Sequence, residues 1–239
     1  MRTLVVQSHR SEGEPPWIAA CLRSVRDWAG RSAFAYRFVD DTIFDRVPGW
    51  YREKLTGRTP IVTDLGRLYL LQEALREGYQ RAVWLDADVL VFDPSLDIGC
   101  EGDCAFGQEV WIQTGGDGKL KARRNVHNAV CVFRQGSPTL PFLIQSVESM
   151  IRRVDQDHIA PQMVGPKLLS ALHGIVGFAL LPQVGAFSPA VVRDLCVGGG
   201  PALDLLRHHT RGTLKAANLC ASLIDDASAE RLLAALRQP

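Results

Sequence analysis

The apolar positions of this chain follow the spacing of buried strands in some segments and of amphipathic helices in others. The runs 3–8 and 33–40 predict the first two strands, and 82–92 (AVWLDADVLVF) predicts a third, interrupted by two aspartates. A helix over 17–29 is predicted between the first two strands, because its apolar residues recur at helical spacing. Those residues are Trp17, Cys21, Val25 and Trp28.

A second helix is predicted to start at Thr59-Pro60, with Thr59 as the N-cap and Pro60 at the first helical position. Its buried face would carry Leu65, Leu68, Leu71 and Leu75, and Gly78 would end it. The segment 111–124 is Gly-rich and basic, which fits a mobile loop near the active face or an exposed hairpin equally well. The other predicted elements are strands at 104–109, 127–133 and 175–182, a helix over 138–154 and an amphipathic helix in the last fifteen residues.

Alternation of strands and helices in the first hundred residues is typical of an α/β layer with a parallel sheet. Neither repeats nor long linkers interrupt the chain. We therefore expect one domain over 1–239. Ligands of such sheets gather beyond the carboxyl ends of the strands.

Composition limits the classes of partner. The 239 residues are 46% apolar and 22% charged, and the net charge is +1, so no overall field favours nucleic acid. We expect no transmembrane segment, and the apolar run in MRTLVVQSHRSE is too short for a signal peptide. Six cysteines scattered mostly through apolar segments suggest buried, reduced thiols and a cytoplasmic protein.

Asp86 and Asp88 lie one residue apart at the end of the third predicted strand. There they could present two oxygen ligands to Mn²⁺ or Mg²⁺, which prefer carboxylates and bridge readily to phosphate oxygens. The same spacing also fits carboxylates that cap a turn or helix, since Asp93-Pro94 follows.

A second segment, HHTRGTLK at 208–215, strengthens the metal hypothesis. His209 could be a third ligand, Gly212 lets the backbone approach a ligand closely, and Lys215 is a mobile cation for phosphate. By itself the segment also fits a surface loop with a solvated histidine pair. Together the two segments suggest a clamp for a metal and a diphosphate.

These residues resemble the retaining nucleotide-sugar glycosyltransferases of the glycogenin-like type, glycosyltransferase family 8. WLDADVLVF is similar to the family's Asp-x-Asp strand, and 209–215 matches its His-x-x-Gly-x-x-Lys element. Asn128-Ala129-Val130 and Asp155-Gln156-Asp157 approximate its Asn-Ala-Gly and Asp-Gln-Asp elements, with Val130 in place of the glycine. Ala216-Ala217 replaces the Pro-Trp that usually follows the family lysine.

TDLGR at 63–67 resembles a segment of the related capsular and mannosyltransferase families. The resemblance implies a glycosyltransferase A fold: one Rossmann-like nucleotide-binding domain with a mixed sheet and an elaborated C-terminal half. Its nucleotide-binding half would be 1–100, and its acceptor-binding half, with the metal and diphosphate loop, would be 101–239. It also implies transfer of a hexose from a nucleotide-diphosphate sugar, with UDP favoured, to an acceptor hydroxyl with retention of configuration. The acceptor would be a saccharide, a lipid-linked saccharide or a protein.

The resemblance also assigns roles to individual residues. Asp86, Asp88 and His209 would ligate Mn²⁺ or Mg²⁺, with Asp86 also on the donor, and Gly212 and Lys215 would contact the diphosphate. Asp64 and Arg67 would hold donor hydroxyls or a phosphate, Asn128 would line the sugar pocket, and the base would lie near Gln7, Ser8 and His9. Gln156 is the candidate for the polar group beneath the anomeric carbon, and Asp155 or Asp157 for orienting the acceptor.

Two other functions remain open from the sequence. A non-catalytic nucleotide-sugar-binding protein of the same fold would keep the donor residues without turnover. A phosphohydrolase with an aspartyl nucleophile also places Asp-x-Asp after a strand, but it usually needs a hydroxyl residue where this chain has Leu90. Release of phosphate from a phosphomonoester would identify that class.

Overall fold

Six strands form the main sheet of the computed structural model, which describes residues 1–236. The nine strands of this part are β1 (Thr3–Ser8), β2 (Ala35–Val39), β3 (Arg81–Leu85), β4 (Val89–Val91), β5 (Cys104–Thr114), β6 (Leu120–Arg134), β7 (Ala179–Leu181), β8 (Val184–Ala186) and β9 (Ala216–Asn218). The helices are α1 (Pro16–Arg31), α2 (Gly49–Lys54), α3 (Thr59–Arg76), α4 (Thr139–Arg153), α5 (Pro166–Val176), α6 (Pro189–Cys196), α7 (Pro201–His209) and α8 (Asp226–Leu236). Short 3₁₀ turns cover Asp41–Arg46 and Gln156–His158.

The main sheet has the order β2-β1-β3-β6-β5-β7 and is mixed. Strand β1 is parallel to both β2 and β3, as the strand–helix alternation predicts. Strand β6 is antiparallel to both β3 and β5, whereas β7 is parallel to β5. The purely parallel sheet expected from the alternation therefore stops at β3, and the mixed sheet implied by the resemblance is confirmed.

Strands β5 and β6 form a long antiparallel hairpin that includes most of 111–124, so the hairpin alternative is right and the mobile loop is wrong. Their register shifts between Phe106 and Gly107, where β6 has extra residues that are not opposite β5. Those residues lie beside the end of β3, and Val130 is opposite Leu85. The bulge bends β6 where the polar side chains after β3 emerge.

A second, small sheet has the order β4-β9-β8. Strand β9 runs antiparallel to β4 and places Asn218 opposite Val89 and Ala216 opposite Val91. Strand β8 is parallel to β9. Because β4 begins just after Asp88, this sheet brings the C-terminal part of the chain to the aspartate pair.

The predicted helices in the first half of the chain are confirmed with one change of cap. All four apolar residues of the stripe on α1 are buried. Helix α3 begins at Thr59, but the N-cap is Arg58, so Thr59-Pro60 fills its first two positions. The helix ends at Arg76, and Gly78 follows with φ +90°.

The C-terminal half departs more from the sequence prediction. The strand expected at 175–182 is wrong in its first part, because Ile175 and Val176 end α5 and Gly177 caps that helix with φ +66°. Only β7 in this segment is a strand. Helix α8 confirms the amphipathic C-terminal helix up to Leu236, and the rest of that prediction lies outside the described residues. No helix within 1–236 is long and apolar enough to span a bilayer.

Candidate functional site

Asp86 and Asp88 lie on a tight turn that joins β3 to β4. The backbone N–H of Asp86 donates to Ala129 O at 2.8 Å, and that of Val89 donates back to Asp86 O at 3.0 Å. From the end of β1, Gln7 Nε2 also donates to Asp86 O at 3.1 Å. The pair is therefore held at the carboxyl ends of the parallel strands β1 and β3, where ligands of α/β sheets bind.

The Asp86 carboxylate points partly to solvent and is fixed from within. Its Oδ1 accepts from Trp84 Nε1 at 2.5 Å and lies 3.2 Å from Arg67 Nη1. The Asp86 side chain is 25% exposed, whereas that of Arg67 is 7% exposed. Asp86 therefore has one oxygen engaged by the protein and a face toward solvent.

Arg67 is the centre of a buried polar network behind Asp86. Its guanidinium lies 3.1 Å from Asp64 Oδ1 and donates to Asn128 O at 2.6 Å. Asn128 Nδ2 donates to Asp64 Oδ1 at 2.7 Å. Three residues predicted on the donor are thus together, but Asp64 and Arg67 are buried and bind each other.

Burial and charge oppose each other in this network. Burial raises the pKa of Asp64, and the Arg67 charge and the Asn128 hydrogen bond lower it only in part. Burial lowers the pKa of Arg67, but the negative charges of Asp86 and Asp64 outweigh that effect and leave it raised. Arg67 therefore stays a cation and compensates both carboxylates.

Gly165 closes the network on the side of α5. A Cβ at this position would lie 2.8 Å from Asn128 Nδ2 and 2.9 Å from Asp64 Oδ2. Any side chain would displace one of these two groups. The sequence gives no signal for this contact, since Gly165 is one of many glycines in loops.

Asp88 is held by the turn that follows β9. Asn218 Nδ2 donates to Asp88 Oδ1 at 2.8 Å, and the Ala221 N–H donates to Oδ2 at 2.8 Å. The Leu219 N–H donates to Asp88 O at 2.9 Å. Cys220 has φ +56°, which is strained for a residue with a side chain, and its N–H donates to Asn218 Oδ1 at 2.6 Å.

The two aspartates also interact electrostatically. Burial and the nearby Asp86 charge raise the pKa of Asp88 to about 6, against hydrogen bonds from Ala221 and Asn218 that lower it. An adjacent cation would relieve this repulsion. Sequence reasoning missed Asn218 and Ala221, although the small apolar pair Ala216-Ala217 before a polar residue could have indicated a short buried strand.

His209, Gly212 and Lys215, which were predicted to form a clamp with the aspartate pair, do not lie beside Asp86 and Asp88. His209 ends α7, and its carbonyl accepts from Arg124 Nη2 at 3.3 Å. Gly212 follows in an exposed segment with φ +80°. Lys215 Nζ donates to Ser95 O at 2.9 Å, beyond the far end of β4. Along β9, Lys215 is three residues, about 10 Å, from the Asn218 that contacts Asp88.

This conformation does not assemble the predicted set of three metal ligands. Within residues 1–236, no three His, Cys, Asp or Glu side chains are grouped so as to hold a metal ion. Asp86 and Asp88 are together, and His209 is not with them. The physical reason is that the segment 209–215 leads into β9 from the end opposite Asp88.

The segment with the proposed catalytic side chains lies beside the start of α3. Asp155, Gln156 and Asp157 are exposed on a short 3₁₀ turn. Arg58, the N-cap of α3, donates to Gln156 O at 3.1 Å and also to Ile159 O. The backbone of this turn is therefore anchored. Within residues 1–236, none of its three side chains forms a hydrogen bond with Asp86 or Asp88.

Ser8 ends β1, and its hydroxyl lies 3.5 Å from Asp40 O at the end of β2. The next residue, His9, has a buried Nε2 that finds no hydrogen-bond partner within 1–236. Burial lowers the pKa of His9, against the charges of Glu14 and Asp41. The predicted base-binding end of β1 thus has one unused ring nitrogen.

Comparison with solved structures identifies the fold. A glycosyltransferase involved in the glycosylation of the major capsid of PBCV-1 matches with a TM-score of 0.53, at 12% identity, over 97% of this chain and 98% of that chain. Galactosyltransferase LgtC in complex with donor and acceptor sugar analogs matches at 13% identity over 98% of this chain and 95% of that chain, with a TM-score of 0.46. No protein-family model matches the chain, and no curated protein sequence matches it. The first similarity, together with the mixed sheet, shows a glycosyltransferase A fold.

Proposed function

We propose that this chain is a metal-dependent glycosyltransferase that moves a hexose from a nucleotide-diphosphate sugar, with UDP-sugars favoured, to an acceptor hydroxyl with retention of configuration. The observation that supports it most is the placement of Asp86 and Asp88. They lie together at the carboxyl ends of β1 and β3 in a glycosyltransferase A fold. The retaining stereochemistry and the donor rest on the sequence resemblance.

The residues of the site fit Mn²⁺ or Mg²⁺. Asp86 and Asp88 would hold the ion, because these hard cations are commonly bound by one or two carboxylates, with water and substrate phosphates completing the shell. Burial and then the Asp86 charge raise the pKa of Asp88, so a cation bound between the two carboxylates would stabilise both of them. When bound, the ion would stabilise negative charge on the departing diphosphate as a Lewis acid.

The protein's own groups would position that chemistry. Arg67 compensates the inner side of Asp86, and Asn218 with the Ala221 N–H fixes Asp88. Such supporting contacts orient ligands and commonly change metal affinity by about 10–100-fold. We propose that Asn128 faces the donor sugar and Ser8 the nucleotide.

Two parts of the predicted site would need to move: the segment that carries Gly212 and Lys215, and the turn that carries Asp155, Gln156 and Asp157. Lys215 would have to leave Ser95 O before its ammonium could contact a diphosphate, and the exposed Gly212 segment would carry that motion. Gln156 would reach the anomeric carbon, and Asp155 or Asp157 the acceptor, from the turn anchored by Arg58. These roles, like the cytoplasmic location, stay predictions.

The first experiment is a thermal-shift panel of nucleotide sugars with Mn²⁺, with Mg²⁺ and with a chelator. We expect at least one nucleotide sugar to raise the melting temperature only with metal, and the same compound to be hydrolysed slowly. Asp88→Asn should abolish both effects, whereas the exposed Asp204→Asn should leave them unchanged. If a donor raises the melting temperature equally with metal and with chelator, the metal-dependent mechanism is wrong. The stereochemistry is tested separately, by ¹H NMR of the product anomer that forms first.

One observation favours a second candidate, a non-catalytic nucleotide-sugar-binding protein. His209 and Lys215 are apart from the aspartate pair in this conformation. Under that function, a donor would bind with metal but would not be consumed by water or by any acceptor. Turnover therefore separates the two candidates.

A further inference from the structure

Beyond Gly107 and His127, one face of the β5–β6 hairpin belongs to none of the hydrophobic clusters of the described residues. Val110 and Ile112 point to the other face, where they pack in a hydrophobic cluster with residues of α6, α7 and α8. Since side chains alternate along a strand, Trp111 points away from that cluster. The cross-strand register places Arg123 opposite Trp111.

Trp111 differs from every other tryptophan of the chain. Trp17, Trp28 and Trp84 are buried in the core. Trp50 is partly exposed, like Trp111, but it packs on the core and its ring is covered by Arg152 at 4.1 Å. Trp111 belongs to none of the hydrophobic clusters, and within residues 1–236 it has neither a ring contact nor a hydrogen bond from its indole N–H.

Polar side chains surround Trp111 on this face. Gln113 is opposite Lys121, and Glu109 is opposite Asn125, whose Nδ2 donates to Glu109 Oε2 at 2.8 Å. Lys121 is paired with an aspartate of the hairpin turn. By contrast, the exposed Arg123 guanidinium has no ion pair or hydrogen bond within the described residues.

The same face continues toward Asp86 and Asp88. Gly107, four residues before Trp111, is opposite His127, and the next residue pair on this face is Glu109–Asn125. His127 lies two residues from Ala129, whose carbonyl binds the Asp86 N–H. Asn125, which binds Glu109, lies four residues before Ala129 on the same strand, so the hairpin leads from Trp111 toward the aspartate turn.

Trp111 lies two strand residues, about 7 Å, from Glu109, on the side away from the aspartate turn. A partly exposed indole offers an apolar surface for the C–H face of a pyranose and an N–H for a hydroxyl. A free guanidinium beside it matches a carboxylate or a phosphate in a planar, two-point contact. A neutral saccharide would leave that cation without a partner.

We propose that Trp111 and Arg123 bind the acceptor, and that this acceptor is an acidic oligosaccharide running along the hairpin from the aspartate pair. One sugar ring stacks on Trp111, and its neighbour or its own acidic group pairs with Arg123. Gln113 and the Glu109–Asn125 pair supply hydrogen bonds to hydroxyls. The acceptor role of this saccharide rests on the proposed function, whereas its binding to Trp111 and Arg123 does not require turnover.

The first test is binding of the full chain to an array of oligosaccharides that contains uronic, sialylated, phosphorylated and neutral members of matched length. We expect binding to at least one acidic member, with at least tenfold weaker binding to its neutral counterpart. Trp111→Ala should lose this binding and Trp111→Phe should retain part of it, while Trp50→Phe, the matched control, should bind normally. Arg123→Gln should remove the preference for the acidic member. Binding that survives in Trp111→Ala, or no binding of any acidic member, overturns the inference.

A kinetic test then separates this inference from the proposed function. With a bound oligosaccharide as acceptor, Trp111→Ala should raise the acceptor KM at least tenfold and leave donor hydrolysis in water unchanged. Equal acceptor KM values for wild type and Trp111→Ala refute the acceptor role. If the wild-type chain binds acidic oligosaccharides through Trp111 but never consumes a donor, the proposed function fails and the saccharide site stands.

Discussion

Replacing Arg67 by methionine should destabilise the protein in a manner that depends strongly on pH. The change removes the only cation between Asp64 and Asp86 within the described residues, at 3.1 and 3.2 Å, and retains most of the side-chain volume. Removing one partner of a buried ion pair generally costs about 3–5 kcal/mol, because the other charge stays buried without compensation. Asp86 is a quarter exposed, so water will screen much of its charge and Asp64 should dominate the loss.

The magnitude at Asp64 has an upper limit, because the carboxylate can take up a proton instead. Protonation costs about 1.36 kcal/mol for each pH unit above the ordinary pKa of 3.8, which gives about 4 kcal/mol at pH 7 and about 1.6 kcal/mol at pH 5. In the variant, the folded-state pKa of Asp64 lies further above its unfolded value. The free energy of unfolding that protonated Asp64 contributes is then fully present below pH 3.8 and is lost as the pH rises through the folded-state pKa of Asp64.

Urea unfolding followed by circular dichroism at pH 5, 6 and 7 measures this effect. We expect Arg67→Met to be less stable than wild type at pH 7 by up to about 4 kcal/mol and to recover more than half of the loss at pH 5. Arg67→Lys keeps the charge and should lose less, and Asp64→Asn combined with Arg67→Met should recover stability at pH 7. A loss that is equal at pH 5 and pH 7 and is not rescued by Asp64→Asn would show that packing, not charge, is responsible.

Three further predictions concern the same region. Asp88→Asn should raise the free energy of unfolding above pH 6. In the wild type, the stability contributed by the raised pKa of Asp88 is fully present below pH 3.8 and is lost as the pH rises through about 6. A change in melting temperature that is equal at pH 4.5 and pH 8 contradicts this. Gly107→Ala should destabilise by about 1–3 kcal/mol or more, because its Cβ would lie 2.0 Å from Nε2 of the buried His127 ring, and adding His127→Ala should relieve part of the loss in urea unfolding. Asn218→Ala should weaken Mn²⁺ binding about tenfold in an electron paramagnetic resonance titration with UDP, because Asn218 orients Asp88. The matched surface variant Asn125→Ala should bind Mn²⁺ as the wild type does. Equal Mn²⁺ affinities of wild type and Asn218→Ala would exclude this role for Asn218.

Local patterns predicted much of the first half of the fold. The apolar run that carries Asp86 and Asp88 becomes a buried strand and a short following strand, as its composition requires. The helix before it starts at Thr59-Pro60 and stops before Gly78. These features depend on residues adjacent in sequence, so their chemistry is visible without tertiary information.

The supporting part of the site was predicted only by resemblance. The sequence segment 63–67 indicated Asp64 and Arg67, yet nothing in it shows that Arg67 turns inward to compensate Asp86. Gly165 gave no signal at all, because its importance comes from the atoms of Asn128 and Asp64 beside it. Such contacts join residues far apart in the chain, and residue type alone does not specify them.

The sequence by itself determined that two carboxylates follow a buried strand, and this is the basis of the metal and diphosphate hypothesis. Only the tertiary structure decided which C-terminal residues reach them: the register of β9 on β4 puts Asn218 opposite Val89, and Lys215 at the other end. The spacing of His209, Gly212 and Lys215 is the same in any register. Register depends on the packing of side chains across paired strands, here between segments about 130 residues apart, and local sequence does not encode that pairing.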